Sequence, residues 1–538
     1  MRRRNSRAGS GKRILAAVLA AGLLLSLPGC RPLPIPGKWE RKGQTAVTGA
    51  PLPETEIRDA SERSHYDIVL SVDAPSAEDE RRRYTMLTLH ETVSFRNDSE
   101  SDWSELCLRD YAQMSIEECR DTAGSRFGKD TALSGAVDHR SGASCKVRRD
   151  RDKTVVYLAL PEPLRSGEQM ALSFDFTFPV SRSDVGGART NYKYVNDDGV
   201  NPVFALGNFY PVLAAWKNGG WVTSPDIPAG GECFLTPVAD YHVTVSAPEN
   251  WQVIGTGDEE QVSSADGRTS FEVTAEKVRD CALVASSGLS MAEEKTEGIL
   301  VRAWYYEGRE EDKEVLLTSA VRAVEAFTKE FGPYPYDSID VAETGLFAGG
   351  MEYPQLVFIS DDLWDYDWYA PRFLLNSTFG ITTAHEVAHN WFYAAVGNDE
   401  YNDSWLDESF ASYCEYVYRM YISDIGEGEP FTWVEAEIEA KNGFYEEETD
   451  PFIDLSAGDM DYYIETVYGK GCYFLVQLRR VMGEKAFREA LREYYSTYCL
   501  GIASTEDFVR ILRPYLSGNE EAVRLCRRYL SRFDTDPV

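Results

Sequence analysis

The chain has 538 residues, 43% of them hydrophobic, 12% aromatic and 27% charged, which is a globular profile too long for one ordinary core. Two folded domains with additional targeting segments are therefore expected. The formal net charge of -33 excludes a general electrostatic grip on nucleic acid or anionic lipid headgroups, since such a surface repels both; it serves solubility and designates no substrate.

Residues 1–30 stand apart from the fold. A basic stretch, "MRRRNSRAGSGKR", precedes a 16-residue apolar run at 14–29, short of the roughly 20 residues that span a bilayer. The run ends in "LPGC". This resembles a bacterial lipoprotein signal whose cysteine, here Cys30, is acylated and becomes the mature N-terminus; Pro28 departs from the usual pattern. An uncleaved signal anchor is the alternative. Either way, the remainder is expected to be exported; the lipoprotein reading places it outside the cytoplasmic membrane, anchored to it by lipid at Cys30. Proline-rich residues 31–60 read as a tether. Nine cysteines remain after Cys30, with no C-x-x-C pair, so neither a full disulfide framework nor a cysteine zinc site is indicated.

From about residue 61 the apolar period becomes two. "YDIVLSV" (66–72), "QMALSFDFTF" (169–178) and "YHVTVSA" (241–247) read as strands, separated by turns such as "RSGE" and "SADG". The spacing predicts an antiparallel, β-sandwich-like domain over 61–290. A helical pattern then begins at "KEVLLTSAVRAVEAFTKEF" (313–331), and 291–538 is expected to be a mainly helical second domain, so the whole is multidomain α+β.

The chemistry concentrates in "TTAHEVAHNWF". The segment 379–397 fits a helix of about four turns, which puts His385 and His389 on one face, one turn apart. Two imidazoles so placed can share one zinc, and Glu386 can reach a water bound there. The alternative is a pair of ordinary histidines. A second amphipathic helix begins near Asp403 and Ser404 and carries Glu408, nineteen residues after His389; packed against the first, it would supply a third ligand. Asp407 is then either a partner orienting a ligand histidine or a solvated acid.

His385, Glu386, His389 and Glu408 within "WLDESFA" resemble the gluzincin metallopeptidases, and more narrowly the aminopeptidase N family, whose usual W-L-N-E-G-F-A is altered here at Asp407 and Ser409. "AGGMEYP" (348–354) resembles the family's exopeptidase motif. The resemblance implies a thermolysin-like catalytic domain with one Zn2+ per chain, held by His385, His389 and Glu408. It implies Glu386 as general base, Tyr468 of "ETVYGKG" as oxyanion stabiliser and, in some members, Tyr463 as a further active-site group. Glu352 would bind the free α-amine of a peptide substrate, with Gly349, Gly350 and Met351 aligning it; a turn acid is the plain alternative for Glu352. The implied activity is hydrolysis of N-terminal residues from peptides at the cell surface. A gluzincin endopeptidase and a non-catalytic surface-binding lipoprotein are the alternatives. The P-C-x-D-E-P segment of the larger members does not occur in this sequence, and their long C-terminal helical domain is not expected.

Overall fold

The computed structural model describes residues 57–123, 129–185, 189–195, 199–223, 232–346, 348–365, 374–428, 452–454 and 463–534, with the backbone alone for 118–123. The signal segment, Cys30 and the tether as far as residue 56 lie outside the described residues.

Alternation builds the first layer. Strand β1 spans His65–Ser71 and β2 spans Tyr84–Arg96. On β2, Leu87, Leu89, Glu91, Val93 and Phe95 share one face by the two-residue period, and all five are buried. With β3 (Gln169–Arg182), β4 (Ala239–Pro248) and β5 (Arg268–Val278) they form the middle of a 12-stranded sheet, in the order β3–β2–β1–β4–β5. A four-stranded sheet that includes Trp103–Arg109 and Val155–Leu164 shares its core: Leu106, Leu108 and Val156 cluster with Ile68, Leu89, Phe174 and Val243. The arrangement is sandwich-like, but the pairing is not purely antiparallel. β1 runs parallel to β4, with Ile68 opposite Val243, because the long excursion between them is a crossover and not a hairpin.

The chain enters a second sheet after Ser286. Strands β6 (Leu289–Thr296) and β7 (Ile299–Tyr306) are followed by α1 (Glu310–Phe331), β8 (Ser338–Thr344), β9 (Gly350–Met351) and β10 (Leu356–Ser360), in the sheet order β6–β7–β8–β10–β9. Helix α1 starts three residues before the predicted 313, and its first-turn acids Glu310, Glu311 and Asp312 lie where the helix dipole favours negative charge. Further on come α2 (Thr378–Ala388), α3 (Trp405–Asp424), a π-helix (Ile464–Lys470), α4 (Gly471–Met482), α5 (Glu484–Tyr498), α6 (Thr505–Leu512) and α7 (Glu520–Tyr529). Phe327, Phe379, Trp391, Phe410, Phe474 and Leu491 join these helices in one apolar core, each side chain contributing roughly 1.5–3 kcal/mol by leaving water. Among the described residues no helix is long and apolar enough to cross a membrane. Cys107, Cys145, Cys233, Cys281, Cys414, Cys472, Cys499 and Cys526 are free thiols.

A smaller apolar cluster joins the two sheets, with Val203, Ala205 and Val284 from the first against Tyr306, Phe358 and Leu356 from the second. Arg279, which follows β5, is buried and crosses the same boundary. Its Nε donates to Tyr393 O at 2.7 Å, and its remaining nitrogens donate to the carbonyls of Thr236, Ala395 and Gly501. Gly397 makes room for it: a Cβ there would lie 2.2 Å from the guanidinium carbon.

Candidate metal centre and substrate cleft

Helix α2 begins cleanly, with Ser377 Oγ accepting from Gly380 N. It ends at Ala388, so the four-turn helix expected to run up to Gly397 is cut short. Beyond it the backbone turns on itself: Ala394 N donates to His389 O, Val396 N to Trp391 O and Tyr393 N to Val396 O. Tyr393 takes a φ of 131°, which no helical residue adopts, and Arg279 occupies its carbonyl while Asp280 accepts from its hydroxyl at 2.6 Å. Tertiary partners thus override a locally helical pattern. His385 stays within the last helical turn and His389 caps it, so the one-turn spacing survives.

Helix α3 brings Glu408 to both histidines. Glu408 Oε2 lies 3.2 Å from His385 Nε2 and 3.4 Å from His389 Nε2. The opposite nitrogens are fixed from behind: His385 Nδ1 meets Glu415 Oε1 at 2.8 Å, and His389 Nδ1 meets Asp407 Oδ1 at 2.5 Å. Holding each Nδ1–H on a carboxylate leaves both Nε2 lone pairs facing Glu408, the orientation that metal-binding histidines need. One donor atom from each of His385, His389 and Glu408 lies within 4.8 Å of the others, and all three residues are buried. Two imidazoles and a carboxylate are a donor set that zinc accepts with a coordination position left open, so the residues fit the ion.

The "GGMEY" segment closes over this centre from the sheet. β9 is an edge strand, pairing Gly350 with Ile359 and Met351 with Phe358. Glu386 packs directly on Gly350: a Cβ there would fall 2.3 Å from the Glu386 side chain. Gly349 O accepts from Ser360 N at 2.9 Å. The loop after β9 is tied to the zinc-motif segment, because Asn390 Oδ1 accepts from Gln355 N at 2.9 Å. Tyr353 is anchored on the β domain through its hydroxyl, 3.1 Å from Asn208 Oδ1. Glu352 is buried, and one carboxylate oxygen lies within 4.8 Å of donor atoms of both Glu386 and His389. It stands in the loop that follows β9, directly beside the zinc-motif side chains. Burial pushes the Glu352 carboxyl up to about 7, with His389 and a hydrogen bond to Glu232 opposing and the charges of Glu386 and Glu408 reinforcing the rise. Glu386 is likewise raised to about 7 by burial, against the pull of His385 and His389.

Tyr468 projects from the π-helix. Its ring stacks with that of His385 at 6.0 Å, and its hydroxyl donates to Glu408 Oε1. Burial, with Glu408 next, keeps the phenol far above its ordinary range, so it is a proton donor. Tyr463 is buried at the start of the same helix, its ring edge-on to that of Tyr468 at 5.9 Å, and its hydroxyl has no hydrogen-bond partner among the described residues.

Three partners escaped the sequence reading. Glu415 lies seven residues after Glu408 on α3, a spacing of two turns that a search for a second acid on the same face would have found. Glu232 and Arg189 gave no local signal. Arg189 donates to Glu232 Oε1 at 2.5 Å and lies over the Phe234 ring, and its Nη1 touches Met351 Sδ at 2.9 Å. Glu232 thereby stands beside Glu352, and each carboxyl perturbs the other. Glu232 also approaches Glu400 and Asp407 to within 4.8 Å.

The peptidase family M1 domain profile matches residues 316–528. Among curated relatives, aminopeptidase M1-B of Oryza sativa subsp. japonica is 29% identical over 40% of this chain and 25% of its own length. Endoplasmic reticulum aminopeptidase 1 of Homo sapiens is 23% identical over 85% of this chain and 46% of its own length. The chain thus spans between a quarter and a half of these relatives. An M1 zinc metallopeptidase from Deinococcus radiodurans superposes with a TM-score of 0.59 at 17% identity, over 88% of this chain and 94% of that one, and so shares the two-domain fold. Residues 316–528 of this chain form a peptidase family M1 domain, the family of aminopeptidase N.

Proposed function

We propose that the protein is a zinc aminopeptidase that removes N-terminal residues from peptides. The observation that carries the reading is the buried carboxylate of Glu352 beside Glu386 and His389. A second carboxylate, Glu232, stands next to it, held by Arg189. Two acids excluded from water form a site for an ammonium group, and a chain end offers one.

His385, His389 and Glu408 would hold one zinc. When bound, the ion supplies Lewis-acid polarisation and a lowered water pKa. Glu386 accepts a proton from the attacking water and returns it to the departing amine. The Tyr468 hydroxyl donates to the oxygen that gains negative charge at the scissile carbonyl. Gly349, Gly350 and Met351 offer the backbone of an edge strand, against which an extended peptide can align; Gly350 has no side chain to separate that strand from Glu386. Tyr463 lends its buried ring to the wall beside Tyr468.

A solved relative carries a Tyr-Ser-Ala substrate, which supports peptides as the substrate class here. Endopeptidase action is the second reading, and the amine site argues against it. The "LPGC" sequence supports acylation at Cys30 and display outside the cytoplasmic membrane. The test is paired kinetics on one peptide, free and N-acetylated. The aminopeptidase reading expects the acetylated form to lose roughly a hundredfold in kcat/KM; equal cleavage of both would establish the endopeptidase.

A further inference from the structure

We propose that Ser409 is a positioning residue that locks the π-turn carrying Tyr468, and so links the metal ligand Glu408 to the oxyanion donor. The inference rests on the proposed role of Tyr468.

The observations are local. In the π-helix the Gly471 N–H bonds Thr466 O and Tyr468 O and passes over Val467 O, its α-helical partner. Ser409 Oγ, buried on the neighbouring α3, donates to that same Val467 O at 2.5 Å. The carbonyl skipped by Gly471 therefore has a fixed donor from outside the helix. A π-turn is the less stable register and persists where something outside the helix favours it. Ser409 directly follows Glu408, and Val467 directly precedes Tyr468. One hydrogen bond therefore joins the residues adjoining Glu408 and Tyr468, whose side chains already meet.

Gly471 completes the lock. A Cβ at Gly471 would lie 1.8 Å from Ser409 Oγ and 2.5 Å from Ser409 Cβ, so the serine fills the space that glycine leaves. Relaxation toward α geometry would change the register by one residue between Tyr468 and α4. The phenol would turn away from Glu408 and from the carbonyl oxygen it serves.

The test uses the full-length, zinc-loaded enzyme and five variants: Tyr468→Phe, Ser409→Ala, Ser409→Gly, Gly471→Ala and the double variant Ser409→Gly/Gly471→Ala. Ser409→Ala should lower kcat about tenfold, the effect of roughly one hydrogen bond, while KM, zinc content and Tm stay near wild type. Gly471→Ala should lower kcat further, because it displaces Ser409 and strains the turn. Adding Ser409→Gly to Gly471→Ala should restore kcat to the level of Ser409→Gly alone, since removing the serine side chain frees the space that the new methyl needs. A merely structural serine would move Tm and zinc content together with kcat. If Tyr468→Phe lowers kcat and Ser409→Ala does not, the lock is overturned and the role of Tyr468 stands. If Tyr468→Phe leaves kcat unchanged, the role of Tyr468 fails and the lock fails with it.

Discussion

The metal-site cleft and the β core both bury carboxylates, and they treat them differently. In the cleft, Glu232, Glu352, Glu386, Asp407 and Glu408 crowd together, but most have a designated neighbour: Arg189, His385, His389 or the Tyr468 hydroxyl. In the β core, Glu91 faces inward from β2 between Leu89 and Val93 and is fully buried; neither carboxylate oxygen has a hydrogen-bond partner among the described residues. On the proposed reading, the cleft holds its acids to bind and move cations and protons. Glu91 has no such return, and burial alone holds its carboxyl far above the ordinary range. Crowded acids with partners indicate function, whereas a solitary one indicates a cost borne by the fold.

The comparison can be broken by removing acids in turn. Glu386→Gln should retain zinc by metal analysis and lose about 10²–10⁴-fold in turnover, because a proton carrier is lost and a ligand is not. Glu352→Ala should lose about a hundredfold in kcat/KM on free-amine peptides, with little added loss when the substrate is N-acetylated, since both changes remove one contact. Additive losses in that cycle would take Glu352 out of the amine site. Asp407→Ala should weaken zinc binding by about 10–100-fold in a competition titration with a chelator, because His389 loses the carboxylate that fixes its ring.

The β core should answer with the opposite sign. Glu91→Leu should raise stability. The raised carboxyl of Glu91 means that above about pH 4.5 the native state holds a proton that the unfolded chain has released. Stability from this group is therefore full below that pH and falls by at most about 1.4 kcal/mol per pH unit above it, until the native carboxyl itself titrates. Urea titrations at pH 5 and pH 7.5 should show the variant's advantage growing with pH. An advantage that does not change with pH would mean that Glu91 has a partner in solution.

The chemistry was legible where it was local. His385, Glu386 and His389 share a single helical turn, and Glu408 opens the next amphipathic segment, so spacing alone placed them. The "AGGMEYP" segment was singled out by resemblance, and it forms an edge strand beside the histidines. What spacing could not show depends on distant partners. Helix α2 stops at Ala388 because Arg279 and Asp280, more than a hundred residues earlier, hold Tyr393 in a turn. Glu232 reaches the cleft only through Arg189, and neither lies in a repeating pattern. The π-turn at Tyr468 is invisible to a 3.6-residue period by its nature. The parallel pairing of β1 with β4 joins segments too far apart in sequence for turn chemistry to predict.

Arg279 also bears on how the molecule can be divided. Its guanidinium belongs to the first sheet's chain segment but fills the backbone acceptors of Tyr393, Ala395 and Gly501 in the second half. Severing the chain at the sheet boundary would take the arginine from Tyr393 O, leave Ala395 O and Gly501 O with only the amides of Leu500 and Gly397, and leave a notch at Gly397 with nothing in it. The peptidase half therefore depends on the β half as a clasp depends on its pin. The two should unfold in a single denaturant transition, and evolutionary exchange of one half for a foreign one would have to bring its own arginine.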